Sequence, residues 1–151
     1  MTVAEAVDTH LSDTKHMQLA TAKDNEPRVV TVLFVHDEHM NIYWLSEVGR
    51  AHSQDIAANP RAAVAMAIKT DLPVIGLQAN GAVEVVTNLM TIQKILRRYV
   101  AKHGLGKDYY ARAVKGIAKH RLYKLTPDAY RLFDEVHFKA ESPVTWRPQG
   151  G

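Results

Sequence analysis

The chain has 151 residues, which suits a single domain, and its 46% hydrophobic and 23% charged residues are those of a water-soluble globular protein. It has no cysteine, which excludes disulfides and thiolate chemistry, and its net charge of +3 comes from Lys and Arg spread along the chain, not from the dense basic patch that nucleic acid requires. No apolar run approaches the ~20 residues of a membrane span, and the first residues lack the pattern of a signal peptide, so a cytoplasmic protein with no membrane or nucleic-acid partner is expected.

Val3, Ala6, Val7 and Leu11 recur at helical spacing and predict an amphipathic first helix. "HMQLATA" reads as a strand, "KDNEP" as a turn, and "RVVTVLFV", rich in β-branched residues, as a second strand. "HDEHMN" is a second turn and "IYWLS" a third strand, so the first half begins as an antiparallel meander. Gly49 to Asn59 is a short helix ended by Pro60, because a residue before proline is pushed out of the α region. "AAVAMAI" and "VIGLQANGAVEVV" follow as strands, the second with glycines that suggest a bulge. Leu89, Ile92, Ile95, Leu96 and Tyr99 mark the clearest helix, which Thr87 or Asn88 can cap and Gly104 can close. "KDYYARAVKGIAKH" is a weaker helix whose Tyr109, Tyr110 and Arg112 either pack or cap a pocket. "HRLYKLTP" and "AYRLFDEV" are closing strands. This order predicts a mainly β barrel with appended helices. No glycine-rich dinucleotide or Walker sequence is present.

The start of the short helix carries Arg50, His52 and Ser53. A helix N-terminus offers unpaired N–H groups and partial positive charge, which a phosphate fits. Arg adds a planar fork of donors and His one or two more. By itself the stretch reads first as an ordinary solvated helix start. Gln78 is either a strand amide turned to solvent or a partner for a polar ring edge. Alternation sets Trp44 opposite Tyr43 and Leu45, in the core or at an interface. His36 to His39, "HDEH", fall on a predicted turn, and no metal site is assigned to them.

Taken in order, "ATAKDNEPRVVTVLFV", "IYWLSEVGRAHSQDIAANPRAAVAM" and "GLQANGAVEVV" resemble the FMN-binding split-barrel family related to pyridoxamine 5'-phosphate oxidase, over about residues 14–100. "LYKLTPDAYRLFDE" is similar to that family's closing strands. The resemblance implies one domain over residues 1–151, a six-stranded antiparallel split β-barrel with flanking helices. It also implies a homodimer holding FMN noncovalently at the subunit interface. The isoalloxazine ring would lie along Val30, Thr31, Val32, Leu45 and Ser46, with Gln78 at its polar edge. The phosphate would rest on Arg50, His52 and Ser53, and Trp146 with Arg147 would reach the partner's flavin. Many relatives carry Arg or Lys at or just before the His52 position, where this chain has Ala51 and His52. The implied activity is a flavin-dependent oxidoreductase acting on a small organic substrate, with a nicotinamide as candidate electron donor. The namesake oxidases carry an Arg-x-His element near the C-terminus; "SPVTWRPQGG" has none, so a different substrate is expected. Two other readings stay open: a module that stores flavin or heme without turnover, and a deazaflavin enzyme whose acidic cofactor tail meets Arg97, Arg98 or Lys115.

Overall fold

A computed structural model describes residues 1–148. In chain order the elements are α1 (Val3–Asp13), β1 (His16–Lys23), β2 (Glu26–Leu33), β3 (Val35–His36), β4 (Ile42–Glu47), α2 (Ala51–Ala58), β5 (Arg61–Lys69), β6 (Ile75–Val85), α3 (Leu89–His103), α4 (Lys107–Lys115), β7 (His120–Asp134) and β8 (Val144–Trp146). All strand pairings are antiparallel.

Local chemistry sets the turns and helix ends. Asp24 and Asn25 both take positive φ, 51° and 64°, as a two-residue type I′ hairpin needs, so β1 folds directly onto β2. Thr2 and Glu5 form a reciprocal capping box at the start of α1. Asn88 caps α3, and Gly104, at φ 66°, closes it in the left-handed conformation. The backbone N–H of Gly116 bonds to Arg112 and ends α4 at Lys115, earlier than the run through His120 that the sequence suggests.

The sheet runs β2-β1-β5-β6-β7-β4-β3, with β8 added to β7. Its two ends, β2 and β3, are consecutive in the chain with only buried Phe34 between them. The path therefore curls round on itself. The sequence reads "RVVTVLFV" as one strand; the structure divides it at Phe34 into β2 and β3, so the sheet has eight strands, β8 included, where six were expected. Beyond Phe34 the two parts diverge: β3 pairs with β4 while β2 pairs with β1. The wall is split between β2 and β4, and α2 lies across the split, touching β1 and β2.

β7 is a single strand of 15 residues, not the two that the sequence suggests. Pro127 breaks the sequence pattern but not the strand, because it sits at a register shift opposite Gly81 of β6. β8, unmarked in the sequence, pairs Trp146 with Tyr130.

Inward residues fill the barrel: Trp44 and Tyr123 stack at 5.8 Å, surrounded by Met17, Leu19, Val64, Leu77, Leu125 and Leu132. Outside, α3 lays Ile92, Ile95, Leu96 and Tyr99 on Val35, Tyr43 and Leu122. Each of those side chains contributes roughly 1.5–3 kcal/mol by leaving water. The "HDEHMN" turn is organised by Asp37, which accepts from the N–H groups of His39 and Asn41, the Asn41 amide and the Tyr43 hydroxyl.

Candidate cofactor site

α2 begins where the barrel wall is split. Unlike α1 and α3, it has no side-chain cap at its N-terminus, and unlike α1 it has no acidic residue in its first turn. Its first backbone bond within the helix is Gln54 N–H to Arg50 O, so the N–H groups of Ala51, His52 and Ser53 have no helical acceptor.

Four of the predicted residues meet here. His52 is buried and its Nε2 lies 2.8 Å from the Ser46 hydroxyl at the end of β4. Burial, then the charge of Arg50, lowers the His52 pKa, so the ring is neutral at neutral pH. Ser53 is buried, and its hydroxyl has no hydrogen-bond partner among the described residues. An orphaned buried hydroxyl is costly unless a ligand or water completes it. Arg50 is exposed, and its Nε lies 3.6 Å from Glu47.

Three further residues belong to the site and were not identified from the sequence. Asp55, on the inner face of α2, is buried and accepts from Thr21 Oγ1 at 2.8 Å and Arg28 Nε at 2.9 Å. These donors, Thr21 first, hold its carboxyl below the ordinary carboxylate range. Arg28 is thereby anchored to α2 through Nε, while its side chain stays 45% exposed and leaves the terminal nitrogens for another acceptor. It is close enough for its charge to act on His52. The only sequence signal was an Asp on the buried side of a short helix; its partners lie 27 and 34 residues away.

The other predicted residues divide. Val30 and Val32 point inward against the barrel core. Thr31 points outward and accepts from Gln18 Nε2 at 3.2 Å. Leu45 points outward into a cavity beneath α4. Gln78 is exposed on the outer face, in the same cross-strand row as Thr31, Gln18 and Ala65. Three strand spacings put it roughly 14 Å from Thr31. Trp146 stacks on Tyr130 at 6.1 Å. Tyr130 stands nine residues along β7 from Arg121, which pairs with Ser46, so about 30 Å of strand separates Trp146 from the start of α2. Within one chain, Gln78 and Trp146 do not join the α2 cluster.

These groups suit a phosphate. Three N–H groups, an orphaned hydroxyl and two arginines lie around a helix start whose first turn carries no acid, and the nearby Asp55 is taken up by Thr21 and Arg28. The one carboxylate on Arg50, Glu47, is half exposed and free to turn away.

A family model described as pyridoxamine 5'-phosphate oxidase matches residues 3–134. Among solved structures, a conserved hypothetical protein from Mycobacterium tuberculosis is similar with a TM-score of 0.76 and 17% identity, over 95% of this chain and 90% of that one. General Stress Protein 26 from Bacillus anthracis is similar with a TM-score of 0.72 and 17% identity, over 97% and 99%. HutZ, the heme storage protein from Vibrio cholerae, gives 0.65 and 17%, over 84% and 91%. At these identities the likenesses show a shared fold. No curated protein matches the chain in sequence.

Proposed function

The chain belongs to the pyridoxamine 5'-phosphate oxidase family, and from that premise we propose that it binds FMN noncovalently as a homodimer and acts as an oxidoreductase on a small organic molecule. The observation that carries this reading is the start of α2, an uncapped helix end with an orphaned buried hydroxyl on Ser53 and with Arg28, Arg50 and His52 around it. Arg28 and Arg50 would hold the phosphate with the first-turn N–H groups, and Ser53 would donate its hydroxyl. His52, neutral in the free protein and oriented by Ser46, would add an N–H and would gain a proton more readily once the phosphate is bound. The bound flavin would supply two-electron redox chemistry, while the protein supplies orientation and electrostatics.

The homodimer has support on the outer face of β2-β1-β5-β6. Its cross-strand rows carry no charged residue: Val29, Ala20, Ala63 and Asn80 in one, Thr31, Gln18, Ala65 and Gln78 in the next. Val29 is 67% exposed there. A second copy covering this face would bring the partner's Gln78 toward a flavin held at the α2 cluster.

The first test is a visible spectrum of the purified protein, before and after loading with FMN and removal of the excess. A retained flavin spectrum that bleaches with NADH or NADPH supports the reading. Retention of heme, which the likeness to the heme storage protein HutZ prompts, moves the function to storage or transfer. Retention of a deazaflavin turns to Arg97, Arg98 or Lys115 for its acidic tail, Lys115 adjoining Arg112 and Lys119 on the surface. No retained chromophore under any loading removes the phosphate assignment of Arg50, His52 and Ser53.

A further inference from the structure

The flavin reading leaves the second reactant unnamed, and the cavity beneath α4 bears on it. α4 stands off the outer face of β4 and the start of β7 and encloses about 280 Å³. The walls are Leu45, Tyr109, Arg112, Ala113, Gly116 and His120. Ala113 in the last turn of α4 and Gly116 at its C-cap are small and leave the space open. The Tyr109 ring is fixed from behind by buried Tyr99, with ring centroids 6.2 Å apart and planes within 15°. Tyr110 takes no part; it lies under the Arg97 guanidinium. The cavity therefore has a preset aromatic wall and an aliphatic wall, a slot for a flat apolar body.

Its polar end is cationic. Arg112 has no ion-pair partner among the described residues. Lys115 and Lys119 adjoin it on the surface. A cationic reactant is disfavoured there. Arg112 sits in the last turn of α4, where the helix carries partial negative charge, so a monoanion suits the place better than a dianionic phosphate. The cavity also adjoins the α2 cluster. Leu45 and Ser46 project to opposite faces of β4, and Glu47 at the strand's end links the two places, 3.2 Å from His120 on one side and 3.6 Å from Arg50 on the other.

We propose that this cavity binds a small aromatic carboxylate, the organic reactant of the flavin reading on which this inference rests, with its ring between Leu45 and Tyr109 and its carboxylate on Arg112. The carboxylate gives Arg112 the partner it lacks. Stacking on Tyr109 selects a ring over an aliphatic acid.

The probes are benzoate and benzamide, equal in shape and different in charge, titrated into isotope-labelled protein and followed by amide chemical shifts, with and without FMN loaded. Benzoate is expected to move the amides of Leu45 and of Arg112 through Gly116, and to bind about fivefold more tightly than benzamide, the gain of one half-exposed charge pair. Arg112→Gln should make the two equal while FMN retention stays unchanged. Ala113→Leu should fill the slot and abolish both, with distant amides unmoved as the check on folding. Equal binding of the two probes to the unmodified protein, shifts confined to other regions, or displacement of benzoate by FMN overturns the proposal. Failure of the flavin reading shows separately: FMN is not retained while benzoate still binds in an Arg112-dependent way.

Discussion

Gly81→Ala tests the bulge on which the β6–β7 pairing turns. A methyl group placed on Gly81 falls onto the carbonyl oxygen of Thr126, 2.8 Å from that carbonyl's carbon and 3.0 Å from Pro127 Cα. All three atoms are backbone, so no rotamer relieves the contact, and the strands must part by more than an ångström. Neighbouring strands stand about 4.8 Å apart, and opening them here loses about two backbone hydrogen bonds at about 1 kcal/mol each. Overpacking adds about 1–3 kcal/mol. The expected loss is about 3–5 kcal/mol, a large share of the 5–15 kcal/mol typical of a whole domain. Urea unfolding followed by Trp fluorescence measures it, with Trp44 buried in the core as a reporter. A fall in melting temperature of about 6–20 °C should accompany it. Gly106→Ala is the control: a methyl group there meets nothing within 4 Å, and the loss should stay near ~1 kcal/mol, the preference of this N-cap position of α4 for Gly over Ala. A Gly81→Ala protein as stable as that control refutes the bulge argument.

FMN affinity should rise as pH falls from 8 to about 6.5, because a bound phosphate favours protonated His52 and burial with Arg50 keeps the free ring's pKa below its usual value. The slope is at most about tenfold per pH unit; His52→Gln should flatten it, and a flat profile in the unmodified protein removes His52 from the phosphate. Asp55→Asn should loosen Arg28 and Thr21 from α2 and lower flavin retention. Because the folded Asp55 pKa is depressed, its stabilisation is present above the ordinary carboxylate pKa and lost as pH falls through the folded value, so urea midpoints of the variant should fall less between pH 6 and pH 3. Burial pushes the Lys102 ammonium down to about 8. The unfolded chain then binds more protons between about pH 8 and 10.5, and native stability gains a contribution that rises with pH over that window. Lys102→Met should remove the rise in urea midpoints from pH 8 to 10, at the expense of the bond from Lys102 to Leu11 O.

The order of elements was legible because each carries its own local signal. β5 alternates buried and outward residues, α3 repeats Ile92, Ile95, Leu96 and Tyr99 at helical spacing, and Asp24-Asn25 is a hairpin turn by residue type. Pro127 misled because its meaning depends on Gly81, 46 positions earlier in the chain; a proline reads as a break unless a bulge faces it. β8 carries no periodicity across three residues and forms because Tyr130 offers Trp146 a ring to stack on. The same limit governs the site. Arg50, His52 and Ser53 are near neighbours in sequence, so their grouping could be read directly. Arg28, Thr21 and Asp55 come from three elements, and only closure of the barrel makes them one cluster.

Closure also dictates when this protein is vulnerable. The hairpin of β1 and β2 can form as soon as it is made, but β4 finds its partner only in β7, with Glu47 and His120 standing 73 residues apart. Until residues 120–134 exist, β4 and β6 each keep a bare edge, a template for pairing with other chains. Long-range pairing of this kind slows folding. A chain cut short before His120 would therefore be a sticky fragment with two open edges, and clean folding depends on keeping those edges apart until residues 120–134 arrive.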